Sequence, residues 1–406
     1  MIYQDKLKVS TVVSLGLVCS LFLTCFYMRL QFMGSLANIN YLFYLSFSLI
    51  VLTSKRIKVD GRELFLLAAL IIHASIINEV NEVSLKEIMY SNLMYLLPLI
   101  ILVIEVDPKS VFGTNLLFKL LKSFNFFVYI IFAIYIIDTF TNFAIMKILT
   151  HTVISGISSW VPTSARIFSY RYASFMGHYL MNALIYNMFY LINMCYIRSN
   201  GKSIISPKTV IIISLIGVLS TGSKTGILIL LTSILCFNLK GKRKIRNIIM
   251  MIILTLILYY IGLFDLVFSR LNNESLTTGR NEVWNMIFAQ NELNLRIFTG
   301  YGESIDSILT SMVGETNTAI AKEYPFLILL YKFGFINVIG MLYFILIKPC
   351  IKAIKNGNGM IAFSILMIFI EINMFNGYLV LTDTVLLYLL FVMVLKLMDN
   401  KKIEAN

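Results

Sequence analysis

Apolar runs long enough to cross a bilayer recur along almost the whole of this 406-residue chain. A helix of about 20 apolar residues spans the hydrocarbon core, because each residue rises about 1.5 Å along the axis. Hydrophobic residues make up 58% of the sequence and charged residues only 14%, whereas roughly a quarter of the residues in soluble domains are charged. The sequence therefore predicts an all-α, polytopic membrane protein with about twelve transmembrane helices and one long outer loop.

These apolar runs predict a single integral membrane domain over residues 1–406. The first run, Val9 to Met28, lacks a small-residue cleavage pattern, so we expect a retained span and not a signal peptide. The predicted spans are residues 9–28, 36–53, 64–78, 88–105, 124–143, 178–197, 204–221, 225–239, 246–266, 324–347, 360–376 and 378–396.

Lysines and arginines indicate the orientation of these spans, because basic residues are enriched in cytoplasmic loops. Most of the basic residues fall on the side of the termini, in clusters at 55–62, 240–246, 348–355 and 396–402. We therefore expect a cytoplasmic-membrane protein with both termini in the cytoplasm. The net charge of +13 is accordingly a topology signal, and no nucleic-acid partner is expected.

This orientation leaves two large segments outside, at residues 144–177 and 267–323, and we expect a short interfacial helix in the second. Every predicted inner loop is short by comparison. We therefore expect the binding or the chemistry of the protein to lie at the outer face.

The turn "LSTGSKTGIL", residues 219–228, places Lys224 between Gly222 and Gly226 on the predicted outer side. The following span, 225–239, rises only about 22 Å, so the turn is expected to lie below the outer surface. A cation at that depth usually has an anionic partner, which predicts an anion site at Lys224. The alternative is a structural hairpin whose lysine extends to the interface.

A second basic cluster, "RIFSYRYASFMGHYLMNAL" at 166–184, precedes the sixth predicted span. Arg166 and Arg171 lie among tyrosines that include Tyr172, as in many sugar and headgroup sites. The same composition is common in the aromatic belts that anchor helices at the interface. His178, which follows, is interpreted as a structural polar residue.

The third cluster, "TTGRNEVWNMIF" at 277–288, predicts a helix whose apolar stripe includes Trp284 and lies on the membrane surface or over a cavity. Arg280 falls in the first turn, where the helix macrodipole disfavours a cation by about 0.3–1 kcal/mol. A bound anion reverses that penalty. A surface arginine on an interfacial helix is the alternative.

The order of these clusters resembles the O-antigen polymerase and ligase superfamily, in particular the Wzy-type polymerases. The resemblance rests on an arginine near a G-H-x-x-x-N helix start, the TGSKTG turn, GR-x-x-x-W and GYG in the long outer loop, and "EYPFLILLYKFGFINVIG" at 323–340. It covers about residues 165–345. It implies a GT-C-like, metal-independent glycosyltransferase that joins undecaprenyl-pyrophosphate-linked oligosaccharides on the outer face of the cytoplasmic membrane, with a flippase and a chain-length regulator as partners beside membrane lipids.

The resemblance places essential arginines at Arg171 and Arg280, with Lys224 where arginine is common. Fixed cations lower the barrier to departure of a diphosphate, so we assign these three residues to its binding, with Arg166, Tyr172 and Trp284 beside them. Related ligases carry a histidine before the tenth span, and its absence here favours a polymerase and leaves the base open.

A carboxylate is expected to receive the acceptor proton, and we prefer Glu323 over Glu303. No cofactor or metal is expected, because the three histidines are widely separated in the sequence. The other charges within predicted spans are interpreted as paired structural residues: Asp138, Lys332, Glu371 and Asp383.

An O-antigen-type ligase stays an alternative within the same superfamily, and two rival functions from other classes remain. A flippase for lipid-linked sugars suits twelve helices and a basic cavity, but flippases usually contain internal repeats. The other rival is a scaffold or regulator of polysaccharide assembly.

The predicted topology is tested with reporter fusions. Alkaline phosphatase fused after residue 406 should be inactive, because this enzyme is inactive in the cytoplasm. A fluorescent protein fused at the same position should be bright, because it fluoresces in the cytoplasm. Alkaline phosphatase inserted after Glu82 should be active. An active phosphatase at residue 406 would contradict the orientation.

Overall fold

The computed structural model describes residues 2–22, 29, 32, 39–52, 57–107, 110–152, 171–238, 256, 260, 279–374 and 382–399. Most of the described residues are helical. The helices of this part are α1 (Ile2–Phe22), α2 (Ile39–Leu52), α3 (Gly61–Val80), α4 (Leu85–Tyr95), α5 (Ile100–Val103), α6 (Val111–Phe140), α7 (Ala144–Thr152), α8 (Tyr179–Asn200), α9 (Pro207–Ser220), α10 (Lys224–Asn238), α11 (Arg280–Ala289), α12 (Ile305–Ala321), α13 (Pro325–Leu342), α14 (Lys348–Lys355), α15 (Gly359–Asn373) and α16 (Thr382–Asp399).

Five helical segments in the described ranges are long and apolar enough to cross a membrane: Gly61–Val80, Leu85–Val103, Val111–Phe140, Tyr179–Asn200 and Pro325–Lys355. Four shorter apolar helices accompany them: Val9–Leu21, Pro207–Ser220, Lys224–Asn238 and Gly359–Asn373. The fold is therefore mostly helical, as predicted, with several helices suited to a membrane. The number twelve stays a prediction, since the predicted span 246–266 falls almost wholly outside the described residues.

A small sheet begins directly after one of the predicted spans. The helical path that begins at Leu85 ends at Val103, and β2 (Ile104–Val106) pairs antiparallel with β1 (Ile57–Val59). β-Branched residues alternate with charged ones in both strands, which suits a short ribbon better than a helix end. The span predicted at residues 88–105 therefore corresponds to the segment Leu85–Val103, which ends two residues before the predicted boundary.

Helix α8 is the centre of the described bundle and packs against α6, α9, α10, α15 and α16. Of the five long apolar segments it is the most enclosed, with 78% of its most apolar window buried. A helix that is apolar all round is expected to be surrounded on every side. Its position fixes where the surrounding helices lie.

Three asparagines of α8 join it to its neighbours by hydrogen bonds. Asn193 and Asn125 of α6 exchange reciprocal amide bonds of 2.9 and 3.0 Å. Asn187 donates to α10 and α15, and Asn182 donates to the carbonyl oxygen of Tyr172 at 3.1 Å. Lipid tails are as apolar as the helix surfaces, so the hydrophobic effect does not hold helices together in a membrane. Hydrogen bonds of this kind contribute to holding them together there.

Charged and polar side chains at the predicted inner end contact one another. Lys348 pairs with Glu63, Lys352 bonds Glu105 at 2.7 Å, and Lys396 donates to the carbonyl oxygen of Leu102 at 2.5 Å. Burial raises the pKa of the Glu105 carboxyl, but the hydrogen bond and charge of Lys352 more than offset this, so the pKa lies below its ordinary value. These contacts join segments that the charge pattern assigns to the same side.

The predicted outer segments also contact one another. In the long outer loop, Arg296 donates to the side chain of Asn81 at 3.1 Å, and the backbone N–H of Glu303 donates to that of Asn78 at 2.8 Å. The loop therefore packs against the turn that follows α3.

Helix α13 is broken at Gly334, where φ is +71° and the helical hydrogen bonds are interrupted. The outer loop replaces them: Tyr301 N–H donates to the carbonyl oxygen of Tyr331 at 2.7 Å, and Phe335 N–H donates to that of Ile297 at 2.6 Å. Irregular backbone at membrane depth is tolerated when protein satisfies its polar groups. The break and the loop segment therefore form one unit.

Replacing Gly334 by Ala should destabilise the protein, because a Cβ there would lie 2.8 Å from the backbone of Phe298 in addition to the strain of positive φ. Gly314→Ala is the matched control, since Gly314 has φ +81° and nothing within 4 Å of the added atom. Thermal unfolding in detergent should show a larger fall in melting temperature for Gly334→Ala. Equal shifts would show that the contact with the loop is unimportant.

Candidate cationic site

Arg171 lies directly against the turn that carries Lys224. Its Nε donates to the carbonyl oxygen of Thr221 at 3.3 Å, and its guanidinium carbon lies 3.2 Å from the centre of the Tyr179 ring. The neighbouring backbone N–H of Tyr172 donates to the carbonyl oxygen of Ser220 at 3.0 Å. Two of the three basic clusters predicted from the sequence are thus brought together by short-range contacts.

Tyr172, the residue after Arg171, anchors this segment to the interior of the bundle. The Tyr172 hydroxyl donates to Asp138 at 2.8 Å, and its ring packs edge-on against Tyr135 at 5.0 Å. Asp138 also accepts hydrogen bonds from two backbone N–H groups at the start of α7. Tyr172 is only 2% exposed, so its side chain faces the interior and positions Arg171.

The turn before α10 presents the start of a helix to the same end of the bundle. Gly222 adopts φ +59°, and the Ser223 hydroxyl accepts the N–H of Gly226 at 3.0 Å as a helix cap. Helix starts favour negative charge through their N–H groups and the helix dipole. Lys224, the first residue of α10, adds a formal positive charge to that position.

Arg280 is the first residue of α11. Arg280 with its partners is called the second arm of the site, and the Arg171 segment with the Lys224 turn is called the first arm. The Arg280 Nε lies 2.5 Å from the Glu323 carboxylate, and its Nη1 donates to the carbonyl oxygen of Met374 at 3.2 Å. Its side chain is 16% exposed and that of Glu323 25% exposed, so solvent reaches both partners. Gly279, which precedes the helix, supplies no side-chain cap.

A small apolar cluster positions α11 beneath this ion pair. Trp284 is 3% exposed, its indole N–H donates to the carbonyl oxygen of Ala321 at 3.2 Å, and its ring stacks on Tyr331 at 5.7 Å. The Tyr324 hydroxyl donates to Asn281 at 2.5 Å. Trp284 therefore joins α11 to the region around Glu323 through contacts that use its ring and its N–H group.

The two arms are connected through α8 and α15. The Asn187 amide donates to the carbonyl oxygen of Gly226 at 3.0 Å and to Glu371 at 2.8 Å. Met374, which accepts from Arg280, lies three residues beyond Glu371, or just under one helical turn. The backbone carrying Lys224 and the helix end contacted by Arg280 are therefore held at neighbouring positions in the bundle.

The remaining predicted site residues divide into three groups. Arg166 lies outside the described residues. Tyr172 and Trp284, predicted to contact substrate, are buried and support the two arms. His178 caps α8 by accepting the N–H of Leu180 at 3.3 Å, which agrees with its structural interpretation.

The sequence did not predict that Lys332 and Glu303 are partners, although it singled out each residue separately. They form a salt bridge beside the break in α13, with the Lys332 side chain 4% exposed and 4.8 Å from the centre of the Tyr95 ring. The sequence signal for Lys332 is a lysine that lies two residues before a glycine within an apolar span. Its partner was not visible, because 28 residues separate the pair.

No group of three or more His, Cys, Asp or Glu side chains able to hold a metal ion occurs in the described ranges. Metal independence stays a prediction. A cavity of about 310 Å³ lies beside Arg198, Ser199 and Asn358, at the predicted inner end of α8 and away from the cationic site.

Comparison with known proteins found no matching family model, curated protein or solved structure. The described part of the chain is mostly helical, with several helices suited to a membrane, and it brings Arg171 into contact with the turn that carries Lys224. The resemblance to the O-antigen polymerase and ligase superfamily stays a prediction.

Replacing Tyr172 by Phe should lower the stability of the protein by about 1–3 kcal/mol, because buried Asp138 loses a hydrogen-bond donor. The control is Tyr260→Phe, since the side chain of Tyr260 is 92% exposed. Thermal unfolding in detergent measures both. An unchanged melting temperature for Tyr172→Phe would contradict the positioning role of this contact.

Proposed function

We propose that this protein polymerises undecaprenyl-pyrophosphate-linked oligosaccharide repeat units into a capsular, O-antigen or exopolysaccharide on the outer face of the cytoplasmic membrane. The motif order supports this proposal, and so does the contact between the Arg171 segment and the Lys224 turn. In this reading, a flippase supplies the substrate and a chain-length regulator acts on the product.

The observation that carries the proposal is the partly exposed ion pair between Arg280, at the start of α11, and Glu323. It combines, in one place, a cation for a leaving diphosphate and a carboxylate for an attacking hydroxyl. Neither residue is fully enclosed, so an anionic substrate can displace Glu323 from the guanidinium.

The proposed reaction follows from these roles. The hydroxyl of one repeat unit attacks the anomeric carbon of another, and the bond from that carbon to the pyrophosphate oxygen breaks. Glu323 takes the proton of the attacking hydroxyl. Arg171, Lys224 and Arg280 stabilise the charge on the departing undecaprenyl pyrophosphate, which needs no metal in this scheme.

Arg280→Ala should abolish long polymer and leave the amount of membrane-inserted protein unchanged, because the residue lies at the surface of the site. Lipid-linked single repeat units should accumulate on the outer face. Glu323→Gln should lower polymer formation by at least about tenfold, since it removes the proposed base and keeps the size of the side chain.

Lys322→Met is the matched control, because Lys322 forms a more exposed salt bridge with Asp306 in the same loop. It should leave polymer length unchanged. Normal polymer from Arg280→Ala would remove the residue from the mechanism. Single units trapped on the cytoplasmic face would instead indicate a flippase, and polymer that fails only to reach its final acceptor would indicate a ligase.

A further inference from the structure

Glu371 and Asn187 form a buried pair that the proposed reaction does not use. Their side chains belong to residues only 2% and 1% exposed, and Asn187 Nδ2 donates to Glu371 Oε1 at 2.8 Å. The other oxygen of each side chain, Glu371 Oε2 and Asn187 Oδ1, is buried and has no hydrogen-bond partner among the residues that the structure describes. Two unsatisfied acceptors thus occur on two residues that already bond each other.

An ionised Glu371 would be poorly stabilised at this position. Among the described residues, no cation forms a salt bridge with Glu371. The charged residues on the helices packed against α15 are Lys224, Arg198, Lys348, Lys352, Lys355, Asp383, Lys396 and Asp399, and none bonds it. A charged carboxylate without a cation is costly within a membrane bundle.

We propose that Glu371 is a neutral carboxylic acid whose Oε2–H group donates to Asn187 Oδ1. This single proton satisfies both unpartnered oxygens at once and completes a two-bond acid–amide pair. The second N–H of Asn187 stays on the carbonyl oxygen of Gly226. The pair is therefore a proton-binding site between α8, α10 and α15.

The pair acts as a positioning element for the cationic site, an inference that rests on the proposed function. It joins Gly226, two residues after Lys224, to the helix end that accepts from Arg280. A neutral pair holds both arms in place without adding negative charge beneath them. An ionised Glu371 would weaken their attraction for a diphosphate.

Infrared spectroscopy of the purified full-length protein tests the protonation state independently of polymerase activity. The difference spectrum between wild type and Glu371→Gln at neutral pH should contain a protonated-carboxyl stretch. That band should shift in D₂O and shift again in an Asn187→Leu background. Carboxylate bands in its place would overturn the proposal, whether or not the protein is a polymerase.

Binding of inorganic pyrophosphate tests the positioning role. Glu371→Gln keeps both bonds of the pair, because its amide accepts from Nδ2 and donates to Oδ1 of Asn187, so affinity should stay within about twofold of wild type. Glu371→Leu removes both bonds and should weaken binding by about tenfold. Loss of binding in Glu371→Gln to the same extent as in Glu371→Leu would show that the charged form is needed.

The two proposals fail in different ways. If wild type binds no pyrophosphate while the protonated-carboxyl band is present, the cationic site is wrong and the acid–amide pair stands. If Glu371→Leu fails to fold, the infrared band of wild type and the binding by Glu371→Gln still decide the question.

Discussion

The hydrogen bonds made by asparagines of the central helix α8 are the interaction on which the rest of the described structure depends. Asn182, Asn187 and Asn193 each connect this enclosed, apolar helix to a different neighbour. In lipid, the hydrophobic effect does not favour one apolar helix neighbour over another, because lipid tails are as apolar as the helix faces. Hydrogen bonds between helices therefore contribute to the choice of neighbours. The amide bonds of Asn187 and Asn193 connect α8 to α6, α10 and α15, and that of Asn182 connects α8 to the backbone of Tyr172.

The cationic site depends on this arrangement. The Asn182 side chain donates to the backbone of Tyr172, the residue after Arg171. The Asn187 side chain donates to both α10 and α15. Arg171 and Arg280 in turn donate to backbone carbonyl oxygens of the surrounding turns and helix ends. Carbonyl partners orient a guanidinium and add no formal negative charge to it, and Arg280 pairs in addition with the carboxylate of Glu323.

Several features were predictable because they follow from local composition. The helical class and the helix starting at Arg280 agree with the structure where it is described, and the cytoplasmic side of the Lys348 and Lys352 cluster stays a prediction. The partners of buried charges were not predictable. Glu303 with Lys332, and Asp138 with Tyr172, are distant pairs that the sequence shows only as isolated polar residues in apolar surroundings.

The sequence by itself determined that the chain is helical, that it is suited to a membrane, and where its basic residues gather along the chain. Hydropathy and charge clusters are properties of contiguous stretches, about 20 residues long for a span, so they can be read from residues that are neighbours in the chain. Only the tertiary structure decided that α13 breaks at Gly334 against the outer loop and that Glu371 meets Asn187. Such pairings depend on how helices pack, and helix packing joins residues that are far apart in the chain.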